Sequence, residues 1–381
     1  MAANNYARRG IRTFQGLEVN RSRFLPRIDL PLMTSLLLLA GFGLMVLYSA
    51  TGENLADLQR QASAIAIAFV LMLVVGQFDT HFFYRRAPLM YLGGLLLLVL
   101  VLFIGVETNG AKSWLDLPGV PSFQPAELCK FLVPMLLARY LSKRRLPPSF
   151  KDLMVSALII LLPTGLIIIQ NDTGTALMVL VSGFFVLLLA GISWRLIFLG
   201  IGTVLLASPA WWIFLARPHQ KNRILTFFDP FRDPTGAGYN IIQSQIAIGS
   251  GGVQGKGWLN GAQSQLDFIP ESDTDFILAV LAEEFGLIGV LLLIALYLAI
   301  LVRGFQIALS GQDTFSRLLA GSLVLTFFFY VFVNMAMVSG LMPVVGLPLP
   351  MLSRGGTSIV TLMIGFGLLM SIHTHRRVLS Q

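Results

Sequence analysis

The sequence predicts an all-α fold: a polytopic membrane protein with about ten transmembrane helices and one large extracytoplasmic loop. Three observations predict it. Of 381 residues, 55% are hydrophobic and 12% charged, against about 25% charged in a soluble domain, and the mean hydropathy is +0.77. The apolar residues form continuous runs, such as LLLLAGFGLMVLY and LLLLVLVLFIGV, unlike the alternation of a membrane β-barrel. Finally, ten stretches approach the roughly 20 apolar residues that a span needs. Together these exclude a soluble enzyme, a nucleic-acid-binding module and a disordered regulator. The net charge of +8 therefore reports orientation rather than a nucleic-acid partner.

The ten stretches are 30–49, 62–77, 88–106, 125–141, 153–169, 174–191, 195–215, 276–302, 318–338 and 356–373. They imply a basic tail (1–28), a ten-span domain (29–377) and a short C-terminal tail (378–381). With both termini inside, 18 of the 27 basic residues face the cytoplasm, so the positive-inside rule sets both ends there. The first apolar run is of full span length, so no cleavable signal peptide is expected. Cys129 stands alone, and of the histidines only His373 and His375 are close in sequence, which leaves no disulfide and little material for a metal site.

Between spans seven and eight, residues 217–275 form a long outer loop rich in Gly, Gln, Asp and Pro, with short helices expected around 238–248. An ordered loop of that length usually carries function. The last outer connection, SGLMPVVGLPLPMLSRGGTS, is irregular yet apolar and is expected to pack against protein at the bilayer edge. Internal repeats of the transporter kind are not visible.

Several polar residues stand out. GSGGVQGKGW (249–258) lacks the first Gly and the final Ser or Thr of a phosphate-binding loop; it reads as a turn, or as tight backbone near a ligand with Lys256 meeting an anion. Asp172 reads as the N-cap of the sixth span or as a polar group of an outward-facing site. Glu127 and Lys130 share one face of the fourth span. Ionisable groups inside a span are costly and point to function, the alternative being a structural ion pair. The densest signal is QSQLDFIPESDTDFILAVLAEE, where Asp267, Glu271, Asp273 and Asp275 precede the eighth span. Asp275 sits at the helix start, where the dipole is expected to keep it ionised, as a general base or a cap. Glu283 and Glu284 lie further in.

GKGWLNGAQSQLDFIPESDTDFILAVLAEEFGLIG, FQPAELCKF and NMAMVSGLMPVVGLPLPMLSRGGTS closely resemble the SEDS family (shape, elongation, division and sporulation). The ending GFGLLMSIHTHRR favours its rod-shape branch, RodA. The resemblance covers about 29–377. It implies a glycosyltransferase that polymerises lipid II into peptidoglycan strands at the outer face of the cytoplasmic (inner) membrane during cell elongation. Asp275, in the Thr-Asp-Phe element, matches the family's catalytic aspartate; Glu127, Lys130 and Asp172 match its conserved polar set. Arg223, Lys256 and Glu271 are further substrate-binding candidates, the two cations for the leaving pyrophosphate and Glu271 as second choice for the base. A divalent cation, Mg or Mn, is an implied assistant, although the sequence carries no metal motif. The implied partners are a class B penicillin-binding transpeptidase and elongation-machinery membrane proteins. Where relatives have Ser-Tyr-Gly-Gly, this chain has Ser353-Arg354-Gly355-Gly356. A lipid-II flippase or permease is the competing expectation, and a scaffold for other wall-building proteins a third.

Overall fold

The computed structural model describes residues 28–108, 110–117, 120–233, 236–262, 268 and 271–374. Residues 1–27, Asp267 and the C-terminal tail lie outside them. Ten helices cover the ten expected stretches: α1 (Leu30–Ala50), α2 (Leu55–Gln77), α3 (Thr80–Ile104), α4 (Pro125–Ser142), α5 (Phe150–Ile169), α6 (Thr173–Leu189), α7 (Trp194–Ala210), α10 (Ile277–Leu309), α11 (Thr314–Val338) and α12 (Gly356–Thr374). Within the outer loop lie α8 (Pro218–Phe228) and α9 (Ala237–Gly251), the latter over the expected 238–248. Among the described residues, eight helices are long and apolar enough to cross a membrane. Of the other two, α6 is one residue short and α4 carries Glu127, Lys130 and Arg139.

Side-chain caps start several helices. Asp29 accepts from Leu32 N, Asn54 from Ala56 N and Asp57 N, and Asp313 from Ser316 N, each satisfying backbone donors that a helix start leaves orphaned. Helix α11 runs through the middle of the bundle, largely buried, whereas α7 has no buried residue. A small antiparallel sheet, β1 (Val106–Thr108), β2 (Ala111–Leu117) and β3 (Val120–Phe123), fills the connection from α3 to α4. The sequence reading did not anticipate it. From β2, Lys112 Nζ donates to Leu102 O and Phe103 O (2.9 and 3.2 Å), placing a cation at the negative end of α3.

The glycine-rich 249–258 segment is more than a plain turn; it repairs a break in α10. The helix kinks at Gly286 (φ 61°, ψ −158°), so Leu287 N and Ile288 N no longer serve the carbonyls of Glu283 and Glu284 four residues back. The loop takes both sides of the exchange. Leu287 N and Ile288 N donate to Gly252 O and Val253 O (3.0 and 3.2 Å), while Lys256 N and Gly257 N donate to Glu283 O and Glu284 O (2.9 and 3.0 Å). All four broken partners are thus satisfied, as low-dielectric surroundings require. A Cβ on Gly255 would lie 2.1 Å from Glu284 O, so only glycine permits the approach.

Candidate active site

Three irregular strands of chain meet at the start of α10. Residues 271–276, just before the helix, are tied to the last outer connection. Arg354 N donates to Asp273 O (2.7 Å), Ser353 Oγ donates to Thr274 O, and Leu349 N donates to Ser353 Oγ (2.7 Å). From α11, the fully buried Asn334 donates through Nδ2 to both Asp275 O (2.9 Å) and Leu347 O (2.6 Å). One amide therefore fixes the main chain under Asp275 and the facing connection together. That connection packs against protein as expected, with Leu347, Leu349, Met351 and Leu352 buried.

The Asp275 carboxylate is half-buried, and no hydrogen-bond donor among the described residues holds it. It does not cap α10, whose N-cap is Phe276 with no side-chain hydrogen bond. Nor does the helix start dominate its charge state, a correction to the sequence reading. Burial pushes its pKa up from the ordinary 3.8 to about 6, the nearby Glu271 adds to the rise, and Arg223 opposes it. Glu271 is exposed and accepts from Thr274 Oγ1 through Oε2 (2.7 Å). Arg223, on α8, donates to Val345 O (3.2 Å), so the long loop brings its cation to Asp275 by anchoring to the last outer connection.

A second polar group lies beside the first. Lys130 Nζ is 2.6 Å from Glu127 Oε1, both side chains being nearly buried. Lys130 also reaches Tyr330 Oη (3.3 Å) and lies 4.7 Å from that ring's centroid, while Thr361 Oγ1 donates to Glu127 Oε2 (3.1 Å). These four residues line a cavity of about 70 Å³, walled also by Ser353 and the Pro348–Met351 segment. Tyr330 and Asn334 lie four apart on α11, one helical face, the first meeting Lys130 and the second the main chain of Asp275. The α11 face thus joins the two groups. Asp172 caps α6 and also ties it to the start of α4. Its Oδ1 accepts from Thr175 N (3.0 Å) as the α6 cap, and its Oδ2 accepts from Gln124 Nε2 at the start of α4.

Two basic residues are taken up by carboxylates other than Asp275. Lys256 does not join Asp275; its ammonium pairs with the fully buried Glu283 at 2.6 Å, eight residues along α10 from Asp275, or about 12 Å. Arg354 bridges Asp273 (2.9 Å) and Asp57 (3.3 Å), so the cation that replaces an aromatic residue is locally compensated. Among the described residues no three His, Cys, Asp or Glu side chains gather as a metal-ligand set. Asp275 and Glu271 supply two carboxylates, which do not by themselves make up a coordination set for a divalent cation. The sequence reading passed over Gln124, Tyr330, Asn334 and Thr361. Gln124 and Asn334 sat inside quoted motifs, and a buried Asn in an apolar helix was the available signal.

Comparisons with known proteins agree with this architecture. Residues 30–378 match the family described as "Cell cycle protein", FTSW_RODA_SPOVE. The chain is 48% identical to the peptidoglycan glycosyltransferase MrdB of Escherichia coli K12, over 93% of this chain and 95% of that one. It is 36% identical to a probable peptidoglycan glycosyltransferase FtsW of Geobacter sp. M18, over 92% and 97%. Among solved structures, a chain of a peptidoglycan synthase complex that coordinates polymerisation and crosslinking superposes with a TM-score of 0.81 at 34% identity, covering 91% of this chain and 97% of that one. The rod shape determining protein RodA of Thermus thermophilus gives 0.69 at 30% identity, over 91% and 96%. A ten-helix bundle with these motifs, matched over nearly its whole length, belongs to the FtsW/RodA/SpoVE family of cell cycle proteins.

Proposed function

We propose that this chain polymerises lipid II into glycan strands at the outer face of the cytoplasmic membrane, with Asp275 as the general base. The protein is a multi-pass membrane protein and a peptidoglycan glycosyltransferase. The finer reading assigns its residues, sidedness and partners.

The reaction joins two lipid-linked disaccharides. The acceptor's 4-hydroxyl attacks the anomeric carbon of the donor, the bond to undecaprenyl pyrophosphate breaks, and the hydroxyl proton passes to an Asp275 oxygen. The donor linkage is α and the product β, so a single inverting displacement needs one positioned base rather than a closely spaced pair of carboxylates. The observation that carries the reading is Asp275 itself. Its carboxylate is half-buried, has its main chain fixed by Asn334 and lone pairs unclaimed by any donor among the described residues, and its pKa is pushed up to about 6. A base works best when its pKa lies near the working pH. Arg223, beside it, supplies positive charge toward the departing pyrophosphate.

Glu127, Lys130 and Tyr330 form the polar wall of the adjoining cavity and are assigned to holding the substrate head group. Asp172, through Gln124, sets the start of α4 that presents them. The family's expected partner is a class B penicillin-binding protein, alongside other elongation-machinery proteins, and the match to a synthase-complex chain supports it. Both termini are assigned to the cytoplasm from the distribution of basic residues. The test is to incubate purified protein, with and without the transpeptidase, with labelled lipid II and resolve the products on a gel. Parent protein should give glycan ladders and Asp275→Asn none; movement of lipid II across vesicle membranes without ladders would favour the flippase.

A further inference from the structure

At the end of the bundle away from Asp275, the α3 start, the α4 end and the α5 start form one corner. Arg139, within it, is twelve residues past Glu127 on α4, about 18 Å along the helix. The aromatic floor of the corner is Tyr84, steadied by an edge-on contact with Phe315 (centroids 5.3 Å apart). Two cations lie over this one ring, the Arg139 guanidinium at 5.3 Å and the Lys143 ammonium at 5.8 Å from its centroid. Arg139 is pinned further by donating Nη1 to Arg85 O at 2.9 Å, a neutral partner that leaves its charge uncompensated.

On the same elements, Arg85 and Arg86 lie in the first turns of α3, Arg145 just past the end of α4 and Lys151 at the start of α5. Neither they nor the two cations over the ring have a carboxylate within ion-pair distance among the described residues. The corner's one ion pair joins Arg144 to Asp152 at 3.3 Å. Orientation by positive charge places basic residues at this end of the bundle. It does not account for two like charges gathered over one ring with no counter-ion. An anion between them relieves that repulsion, and the neighbouring surface says which kind. Phe150 and Met154, in the first two turns of α5, are exposed at 69% and 53%, an apolar rim that a free phosphate has no use for and that acyl chains would cover.

We propose that this corner binds an anionic phospholipid, its phosphodiester held by Arg139 and Lys143 over Tyr84 and its chains lying along the apolar rim. Basic pockets between membrane helices bind such head groups, each cation near the surface being worth about fivefold in affinity. The experiment is native mass spectrometry of the full chain in detergent, titrated with dioleoyl-phosphatidylglycerol or dioleoyl-phosphatidylcholine. Phosphatidylglycerol should bind at least about tenfold more tightly than phosphatidylcholine. Lys143→Gln, an exposed change that leaves packing intact, should weaken it about fivefold, and Arg139→Gln with Lys143→Gln about 25-fold. Arg195→Gln, a basic residue outside the corner, should leave it unchanged. Equal binding of the two lipids, or parent affinity in the double variant, overturns the proposal. Full displacement of phosphatidylglycerol by millimolar inorganic phosphate overturns it too, in favour of a bare anion site.

Discussion

Removing the charge of Arg223 or of Glu271 should shift the pH dependence of polymerisation in opposite directions. Asp275 is pushed up to about 6, first by burial, then by Glu271, with Arg223 pulling it down. A base with that pKa is about nine-tenths ionised at pH 7, half at pH 6 and about a tenth at pH 5, so the rate should fall close to tenfold per unit below about pH 6. Glu271→Gln removes a like charge and moves the acid limb to lower pH. Arg223→Gln removes an opposite charge and moves it to higher pH, lowering the rate at pH 6 more than at pH 8. The same displacement governs stability. Because the folded pKa exceeds the unfolded one, the unfolded state holds fewer protons between about pH 4 and 6, and folding stability falls as pH rises through that window. The displacement from 3.8 to about 6 corresponds to about 3 kcal/mol before solvent screening. Asp275→Asn should therefore melt higher than the parent at pH 7 and nearly alike at pH 4, while making glycan at least about a hundredfold more slowly. Initial rates with labelled lipid II between pH 4.5 and 8, paired with thermal melts, measure both. An acid limb near pH 4 in the parent, or the same direction of shift in both charge variants, would refute the placement of Asp275 as a buried base.

Other substitutions follow from the geometry. Asp275→Asn should slow chain formation by about 10²–10⁴-fold, the usual worth of a general base, and a ladder-forming Asp275→Asn alongside an inactive Glu271→Gln would move the role to Glu271. Swapping Glu127 and Lys130 for one another should abolish polymerisation, because the Thr361 and Tyr330 contacts are specific to each end of the pair; a swapped protein with parent activity reduces the pair to a helix brace. Asn334→Ala strands the Leu347 and Asp275 carbonyls, costing about 1–3 kcal/mol, and should widen the pH limb as well as lower the melting temperature. Arg354→Tyr gives up two ion pairs of a partly exposed side chain, each worth at most about 1 kcal/mol, and should retain polymerisation at normal protein levels. Gly255→Ala should be far harsher than a surface change, since its Cβ meets the Glu284 carbonyl; a normal melt would show that the loop is not spliced into α10.

Much of this was legible beforehand because the bilayer writes itself into composition. A span must be long and apolar, so the ten stretches and the long loop stood out without a partner to explain them. Glu127 and Lys130 were legible as candidates for the converse reason, a charge in an apolar stretch being costly enough to signal function, and Asp275 because it closes a run of carboxylates at a helix start. Where sequence reasoning failed, the deciding contact lay far along the chain. Lys256 read as a cation meeting a ligand anion because Glu283 lies 27 residues away, and the carboxylates that pair with Arg354, Asp57 and Asp273, are likewise remote in sequence.

The sequence by itself determined the class, a many-spanning helical membrane protein with a long loop before α10, and marked Asp275 at the end of that loop as the candidate base, since each depends on local hydropathy and residue type. Only the tertiary structure decided that Asp275 is a poised rather than a permanently ionised carboxylate. Desolvation and the fields of Glu271 and Arg223 are properties of the assembled site, and they outweigh the helix start that local reasoning could see. It also decided that GSGGVQGKGW completes a broken helix. Four hydrogen bonds between residues 252–257 and 283–288 exist only once α10 has kinked, and no pattern within either segment encodes its partner.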